Sequence, residues 1–212
     1  QEVLTVRVTN SNTLCFSETQ LRLITSEKPN INTPLDKYAC DEGNGFSTFD
    51  LSNLETEIIS NQNNLNVYYF DSSDNEITSL ISSSYNNLQA WNETITVKVE
   101  NAFSTMCFTE TSFNLIVNEL PEITIEENYF LCNLEPSLSI SVNPNLNSWE
   151  WKYEDGTIIS NSFQANLIEA GNYSLKISEI KNGIQCENVY EFELIRSVLP
   201  RIETVEFQEL SN

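Results

Sequence analysis

Five cysteines, at positions 15, 40, 107, 132 and 186, are the residues of this chain best suited to chemistry. None stands in a CxxC or zinc-type spacing, which counts against a metal or dithiol exchange centre and leaves structural disulfides as their chemistry. Histidine is absent, which removes the commonest general base, the commonest metal ligand and every Ser-His or Cys-His nucleophile pair. Acidic neighbours such as Glu126 and Glu127 could serve as glycosidase carboxylates, but chance pairs are expected among 31 Asp and Glu. No catalytic residue is assigned, and the chain is read as non-enzymatic. Trp149, Trp151 and Tyr153 share a parity in "SWEWKY". Such a face is either a sugar-stacking platform or the buried side of a sheet; the buried side is the expectation, with Trp149 and Trp151 as the candidate glycan contacts.

The elements that must position these residues follow from composition. Lys and Arg number 10 against the 31 acids, for a net charge of −21, which argues against nucleic acid or an anionic membrane surface as partner. Five glycines do not make a phosphate-cradling loop. No run of 18 apolar residues exists, so no transmembrane helix is expected. "QEVLTVRVTN" opens in a strand pattern without a signal peptide; an export signal, if the protein has one, lies outside this segment. Abundant Asn, Ser, Thr, Ile and Leu, with Tyr and Phe interspersed, predict strands joined by polar turns.

The chain repeats itself. "LTVRVTN" (4–10) matches "ITVKVEN" (95–101), and "CFSETQLRLI" from Cys15 matches "CFTETSFNLI" from Cys107; a weaker third copy reads "YSLKISE" (173–179) and then "CENVYEFELI" from Cys186. "LITSEKPNI", "LIVNELPEI" and "LIRSVLPRI" share L-I-x4-P-x-I, with prolines at 29, 121 and 200, spaced 121 − 29 = 92 and 200 − 121 = 79 residues. That period is close to an immunoglobulin-like sandwich of roughly 100 residues. Proline cannot donate to a central ladder, so it marks the junction where one domain's last strand gives way to the next domain. No Gly/Ser-rich linker intervenes, which predicts domains strung end to end as a stiff rod. The expected architecture is all-β: tandem immunoglobulin-like β-sandwich domains, with 1–28 as the last strands of a truncated repeat, 29–119 and 120–199 as two sandwich repeats, and 200–212 as the start of a following β domain.

Within the repeats, Leu65, Val67 and Tyr69 fall on one strand face, as do Ile95, Val97 and Val99. Leu51, Leu54 and Ile58 are spaced for a short helical turn, and Trp91 is expected in the core. Asp155-Gly156 and Asn182-Gly183 read as hairpin turns, and Tyr173 occupies the place of a tyrosine corner. Seven or so strands fit each repeat. The boundaries then sort the cysteines. Cys40 and Cys107 fall in one repeat and Cys132 and Cys186 in the next, one early and one opening the last strand. The expected disulfides are therefore Cys40–Cys107 and Cys132–Cys186, each closing a loop worth roughly 4 kcal/mol in the chain-entropy model, in an oxidising, extracytoplasmic setting. Cys15 matches the late position, and its partner is expected upstream.

"CFSETQLRLI", "CDEGNGFSTFDLS" and the L-I-x4-P-x-I junctions resemble the tandem repeats of very large surface proteins of gliding Bacteroidota. These are exported by the type IX secretion system and carry a type B, gliding-motility-associated sorting domain. "VLPRIETVEFQELSN" resembles the start of the domain that usually precedes that sorting domain. The resemblance implies an extracellular, outer-membrane-attached adhesin. It also implies the rest of a long chain, an outer-membrane barrel and the type IX translocon as partners, with surface polysaccharide as a further candidate. Related repeats often read Asp-x-Asn-x-Asp-Gly near the early cysteine, which implies calcium. Here Asp41, Asn44 and Asp50 are the weak calcium candidates, since Asn44 replaces the carboxylate before Gly45; an ordinary turn is the expectation, and no other cofactor is implied. The function expected is a non-catalytic stalk segment of a large secreted adhesin linked to gliding or attachment. The rival reading is accessory or carbohydrate-binding domains of a secreted polysaccharide-degrading enzyme.

Overall fold

The computed structural model describes residues 2–198, which divide between Val117 and Asn118 into two compact units. The expected start of a following domain at 200–212 lies outside the described residues. The chain is all-β, built of tandem immunoglobulin-like sandwiches.

Unit 1 opens with a hairpin, β1 (Glu2–Thr9) and β2 (Phe16–Leu23). Its sandwich contains β3 (Lys37–Cys40), β4 (Thr48–Asp50), helix α1 (Leu54–Ile59), β5 (Leu65–Phe70), β6 (Ser84–Asn86), β7 (Asn92–Asn101) and β8 (Ser104–Asn118). One sheet has the order β3-β8-β7-β5, and β4 pairs with β6. Period-two patterning puts Ile95, Val97, Val99, Phe113 and Leu115 inside, where they meet Phe49, Leu54, Ile58 and Tyr85. The helix forms as its spacing predicts. Leu54, Ile58 and Ile59 are its buried stripe.

The hairpin repeats β7 and β8 in detail. Leu4 faces Leu21 and Val6 faces Thr19, in the register of Ile95 with Phe113 and Val97 with Thr111. Arg7 lies 4.1 Å over the Phe16 ring, as Lys98 lies 4.6 Å over Phe108. The difference is burial. Leu4, Val6 and Val8 are 40%, 42% and 68% exposed, whereas Ile95, Val97 and Val99 are at 0%.

Unit 2 contains β9 (Asn128–Cys132), β10 (Leu138–Ser141), β11 (Ser148–Tyr153), β12 (Ile158–Ser160), β13 (Gln164–Leu167), β14 (Gly171–Lys181) and β15 (Ile184–Ser197). The sheet β12-β11-β14-β15-β9 faces the pair β10-β13. Both hairpin turns form where expected. Gly156 has φ +87° between β11 and β12, and Asn182 and Gly183 both have positive φ between β14 and β15, as a two-residue turn of the right twist requires. The tyrosine corner is present as well. The Tyr173 hydroxyl donates to the Glu169 carbonyl at 2.6 Å, and its ring stacks on Phe192.

Two buried tyrosines of unit 1 make its alkaline stability predictable. Burial, helped by the charge of Glu55, pushes Tyr69 up to about 12. Burial first, and then the hydrogen bond to Glu93, raises Tyr85 further. A folded pKa above the unfolded value favours folding fully below that unfolded value, near 10. The contribution is lost as pH rises through the folded values. Unit 1 should therefore hold its stability up to about pH 10 and lose it progressively from there toward pH 12 and beyond. Tyrosinate absorbance of Tyr69 and Tyr85 should appear only as the unit unfolds. Ionisation of Tyr69 and Tyr85 themselves near pH 10 in the still-folded protein, assigned with Tyr→Phe variants at each position, would contradict this.

Candidate functional site

The cysteines take their places from strand direction. In unit 2, β9 and β15 run parallel, with Asn128 beside Glu193 and Cys132 beside Ser197. The incoming chain also follows β15 from its hairpin tip. Asn118 contacts Lys181 and Asn182, Pro121 accepts from Asn188 and Tyr190, and Glu127 accepts from Glu193. The tip of the β14–β15 hairpin, with Cys186 just beyond it, therefore lies at the end where the chain enters. Cys132 lies at the end where the chain leaves. From Cys186 to Ser197, opposite Cys132, is eleven strand residues, or roughly 36 Å. Bridged cysteines need Cα atoms about 4.4–6.8 Å apart.

Unit 1 has the same plan. Ser26 accepts from the Cys107 thiol, Pro29 from Thr109, and Asp36 from the Asn114 amide. The incoming chain thus runs with β8, starting beside Cys107. β3 continues from Asp36 along β8 and carries Cys40 to the exit end. Each sandwich has one cysteine at its entry (Cys107, Cys186) and one at its exit (Cys40, Cys132).

Cys40 and Cys186 are the two disulfide-bonded cysteines. Cys15, Cys107 and Cys132 are free thiols. The expected pairs Cys40–Cys107 and Cys132–Cys186 are both overturned. Sequence order correctly marked one cysteine early and one late in each domain, but the first strand runs parallel to the last, so the two sit at opposite ends.

The segment after Cys40 is a pinned turn. Asp41 Oδ1 accepts the amides of Gly43 and Gly45, at 2.9 and 2.8 Å, and Asp50 accepts the Ser52 amide. Asn44 sits at φ +56° in this turn. Of the weak calcium candidates Asp41, Asn44 and Asp50, the two carboxylates each spend an oxygen on backbone amides. No group of three or more His, Cys, Asp or Glu that could hold a metal occurs among the described residues. The turn is clamped from the other strand by buried Asn87, which accepts from Ser47 and donates to the Gly45 and Gln89 carbonyls. Trp91 is not a core residue as expected. It has φ +70° and is 42% exposed, and its amide donates to the Gly45 carbonyl. Gly45 is at φ +85°, and a Cβ there would lie 2.7 Å from the Trp91 ring and 2.8 Å from its backbone nitrogen. Gly45→Ala should cost about 2 kcal/mol in unit 1, from backbone strain and this clash. Urea denaturation of unit 1 checks this; an unchanged midpoint would show that the turn gives way freely.

The aromatic face is mostly core. Trp151 is fully buried, with its indole N–H donating to the Ser162 carbonyl at 2.8 Å, and it offers no surface to a sugar. Trp149 is half-buried against Phe163 and donates to the Asn143 carbonyl. A depression of about 660 Å³ is lined by Glu127, Lys152, Tyr153, Glu154 and Asn172 among others. Its groups are engaged in holding strands. Lys152 pairs with Glu150 at 2.6 Å, and Glu154 accepts from the Asn172 amide and side chain.

Residues 36–121 match the Flavobacterium inter-domain disulphide bond domain. The match spans the first sandwich and contains Cys40 and Cys107. No curated protein matches the chain. Solved structures that match the chain include immunoglobulin domains 1–4 of Sidekick-1, at 14% identity over 91% of this chain and 57% of that one, with a TM-score of 0.38. The insect immune protein hemolin matches at 12% identity over 92% and 56%, with a TM-score of 0.32. The SGBP-B of a Bacteroides ovatus mixed-linkage glucan utilization locus, solved with a mixed-linkage heptasaccharide, matches at 13% identity over 81% and 48%, with a TM-score of 0.28. The chain spans about half the length of these solved chains. No described helix is long and apolar enough to cross a membrane.

Proposed function

We propose that this chain is a non-catalytic stalk segment of a large exported surface protein, whose successive immunoglobulin-like domains are coupled by a disulfide between Cys40 and Cys186. The observation that carries this reading is the placement of the cysteines at opposite ends of each sandwich, which puts a bridge within a domain out of reach. Among the described residues, the two bonded cysteines are one exit cysteine and one entry cysteine. The match of residues 36–121 to a family described by an inter-domain disulphide agrees with it. A bond between domains resists bending and pulling at the junction that a proline-marked linker alone would allow. It closes a loop of well over a hundred residues, worth about 5 kcal/mol in the chain-entropy model. Disulfides persist in oxidising surroundings, so the protein works outside the cytoplasm. Its resemblance to gliding-associated repeats supports an adhesin at the cell surface, exported by type IX secretion and held there with an outer-membrane barrel, with attachment arising from many weak contacts.

The test is non-reducing digestion and mass mapping of residues 1–212 made in an oxidising compartment. A peptide joining Cys40 to Cys186 is the expected result, and Cys40 joined to Cys107 would overturn the coupling. Surface labelling of whole cells, with and without the type IX translocon, tests the export route. A protein that still reaches the surface without it would sink that part.

A further inference from the structure

We infer that unit 1 carries a saccharide-binding site on its clamped turn, 43–47. Trp91 is the stacking platform, and Glu42, Phe46 and Asn86 line a hollow that opens on the same turn. The ligand class is a neutral glycan. The site lies within unit 1 and stands whether or not the chain is a stalk.

Backbone strain is the first support. The Asn92 amide donates to the Ala90 carbonyl at 2.9 Å across Trp91, whose φ is +70°. That is the γ-turn of the rare, strained hand, and a bulky side chain is an outlier there. The surroundings hold it in place. The Trp91 amide donates to the Gly45 carbonyl, the Trp91 carbonyl accepts from the Val117 amide, and the buried Asn87 carboxamide donates to the Gly45 and Gln89 carbonyls. The strain does not serve the core, since Trp91 stays 42% exposed. Strain that the fold maintains without a gain in packing points to a functional position. The ring itself is the second support. A Cβ on Gly45 would lie 2.7 Å from both Cδ2 and Cε2 of Trp91, so the indole rests one face on the glycine and leaves the other to solvent. Trp149 and Trp151 spend their indole N–H groups on the Asn143 and Ser162 carbonyls. The Trp91 indole N–H has no partner among the described residues.

The hollow supplies the polar contacts. About 320 Å³ in volume, it is lined by Glu42, Phe46, Ser47 and Asn86 among others. Phe46 is 44% exposed. The Asn86 carboxamide makes no hydrogen bond among the described residues, and Glu42 gives one oxygen to the Thr48 hydroxyl and keeps the other. A pyranose has an apolar C–H face that lies on an aromatic ring. Its hydroxyls accept from an indole or amide N–H and donate to a carboxylate. Asp41 and Asn87 pin the turn, so these groups are in place before a ligand arrives. Charge then selects among sugars. The lining holds Glu42 and no Lys or Arg, and the chain carries −21, so uronate and sulfated glycans are repelled. The sugar-stacking tryptophan is therefore Trp91, outside the "SWEWKY" face.

Calorimetric titration of residues 1–212 with cellohexaose, xylohexaose and mannohexaose tests this, with polygalacturonate as the acidic counterpart. At least one neutral hexaose should bind, and polygalacturonate should not. Trp91→Ala should weaken that binding about tenfold, the loss of one stacked aromatic, and Trp91→Phe should recover part of it. Asn86→Ala should weaken it by a smaller factor, while Trp149→Phe should leave it unchanged. Urea denaturation of unit 1 shows whether each variant is folded; should Trp91→Ala not fold, Trp91→Phe and Asn86→Ala carry the test. Binding of none of the three hexaoses would overturn the inference. So would hexaose affinity unaltered by the Trp91 and Asn86 substitutions in folded protein, which would make Trp91 a packing residue of the turn, or equal binding of polygalacturonate.

Discussion

Trp151→Ala should destabilise unit 2 by about 4 kcal/mol, a large part of the 5–15 kcal/mol that holds a typical domain folded. Trp151 is at 0% exposure, meets Phe192 edge-on at 6.0 Å and spends its indole N–H on the Ser162 carbonyl. Truncation removes a large apolar body, leaves a cavity between the sheet and the β10–β13 pair, and strands a carbonyl. Phe192 also stacks on Tyr173 and touches Tyr129, so loosening spreads through the aromatic cluster to the tyrosine corner. Trp91 lies in unit 1 and Trp149 in unit 2, so in this variant fluorescence reports unit 2 alone in a Trp91→Phe background and unit 1 alone in a Trp149→Phe background. Under urea the unit 2 transition should move to much lower denaturant while the Trp91 transition stays. An unmoved unit 2 midpoint would mean that Trp151 is not the keystone its burial makes it.

Glu93→Ala should cost unit 1 about 3 kcal/mol, and Glu93→Gln about 1 kcal/mol. Glu93 is fully buried, with Oε1 accepting from the Tyr85 hydroxyl at 2.9 Å and Oε2 from the Leu88 amide at 2.6 Å. Alanine leaves two buried donors without an acceptor, whereas glutamine keeps an acceptor for one of them. Thermal unfolding measures both changes. The alkaline titration is an independent readout. The Glu93 hydrogen bond and charge both raise Tyr85, so Tyr85 in the alanine variant should ionise at lower pH than in the parent. A loss for alanine with none for glutamine, and with Tyr85 unmoved in the alanine variant, would show that volume and not hydrogen bonding makes the position sensitive.

Glu93 also marks a limit of reading by pattern. An acid beginning a half-buried strand reads as a solvent-facing residue, and only the fold shows it lying beneath Tyr85 and Leu88. The corresponding place in unit 2, opposite Leu194 as Glu93 is opposite Leu115, holds Gly171. There a Cβ would meet the Tyr153 hydroxyl at 2.6 Å, and that hydroxyl donates to the Ala170 carbonyl. Two sandwiches solve one corner with a buried carboxylate and with a borrowed tyrosine. Nothing local in "NETITV" or "AGNYSL" announces the exchange, because each depends on a side chain from a distant strand. Trp91 is similar. Its strand-leading place suggests core, while the positive φ that lays its ring over Gly45 is imposed by the clamped turn across the sandwich.

The amino-acid sequence by itself determined the strands, the helix and the repeat, because period-two and helical spacing, Asp-Gly and Asn-Gly turns and the tyrosine corner are local properties of a few neighbouring residues. It also determined which cysteines are equivalent. Only the tertiary structure decided how they bond. Two cysteines 67 residues apart (107 − 40) or 54 apart (186 − 132) look like partners when the intervening strands are taken to fold back between them. In fact β9 lies parallel to β15, so a residue at the end of the first strand meets Ser197 at the end of the last, and Cys186 is left roughly 36 Å away at the other end. Strand direction across a sheet is a long-range property. It assigned one cysteine to each end of a domain and so put a bridge within either domain out of reach.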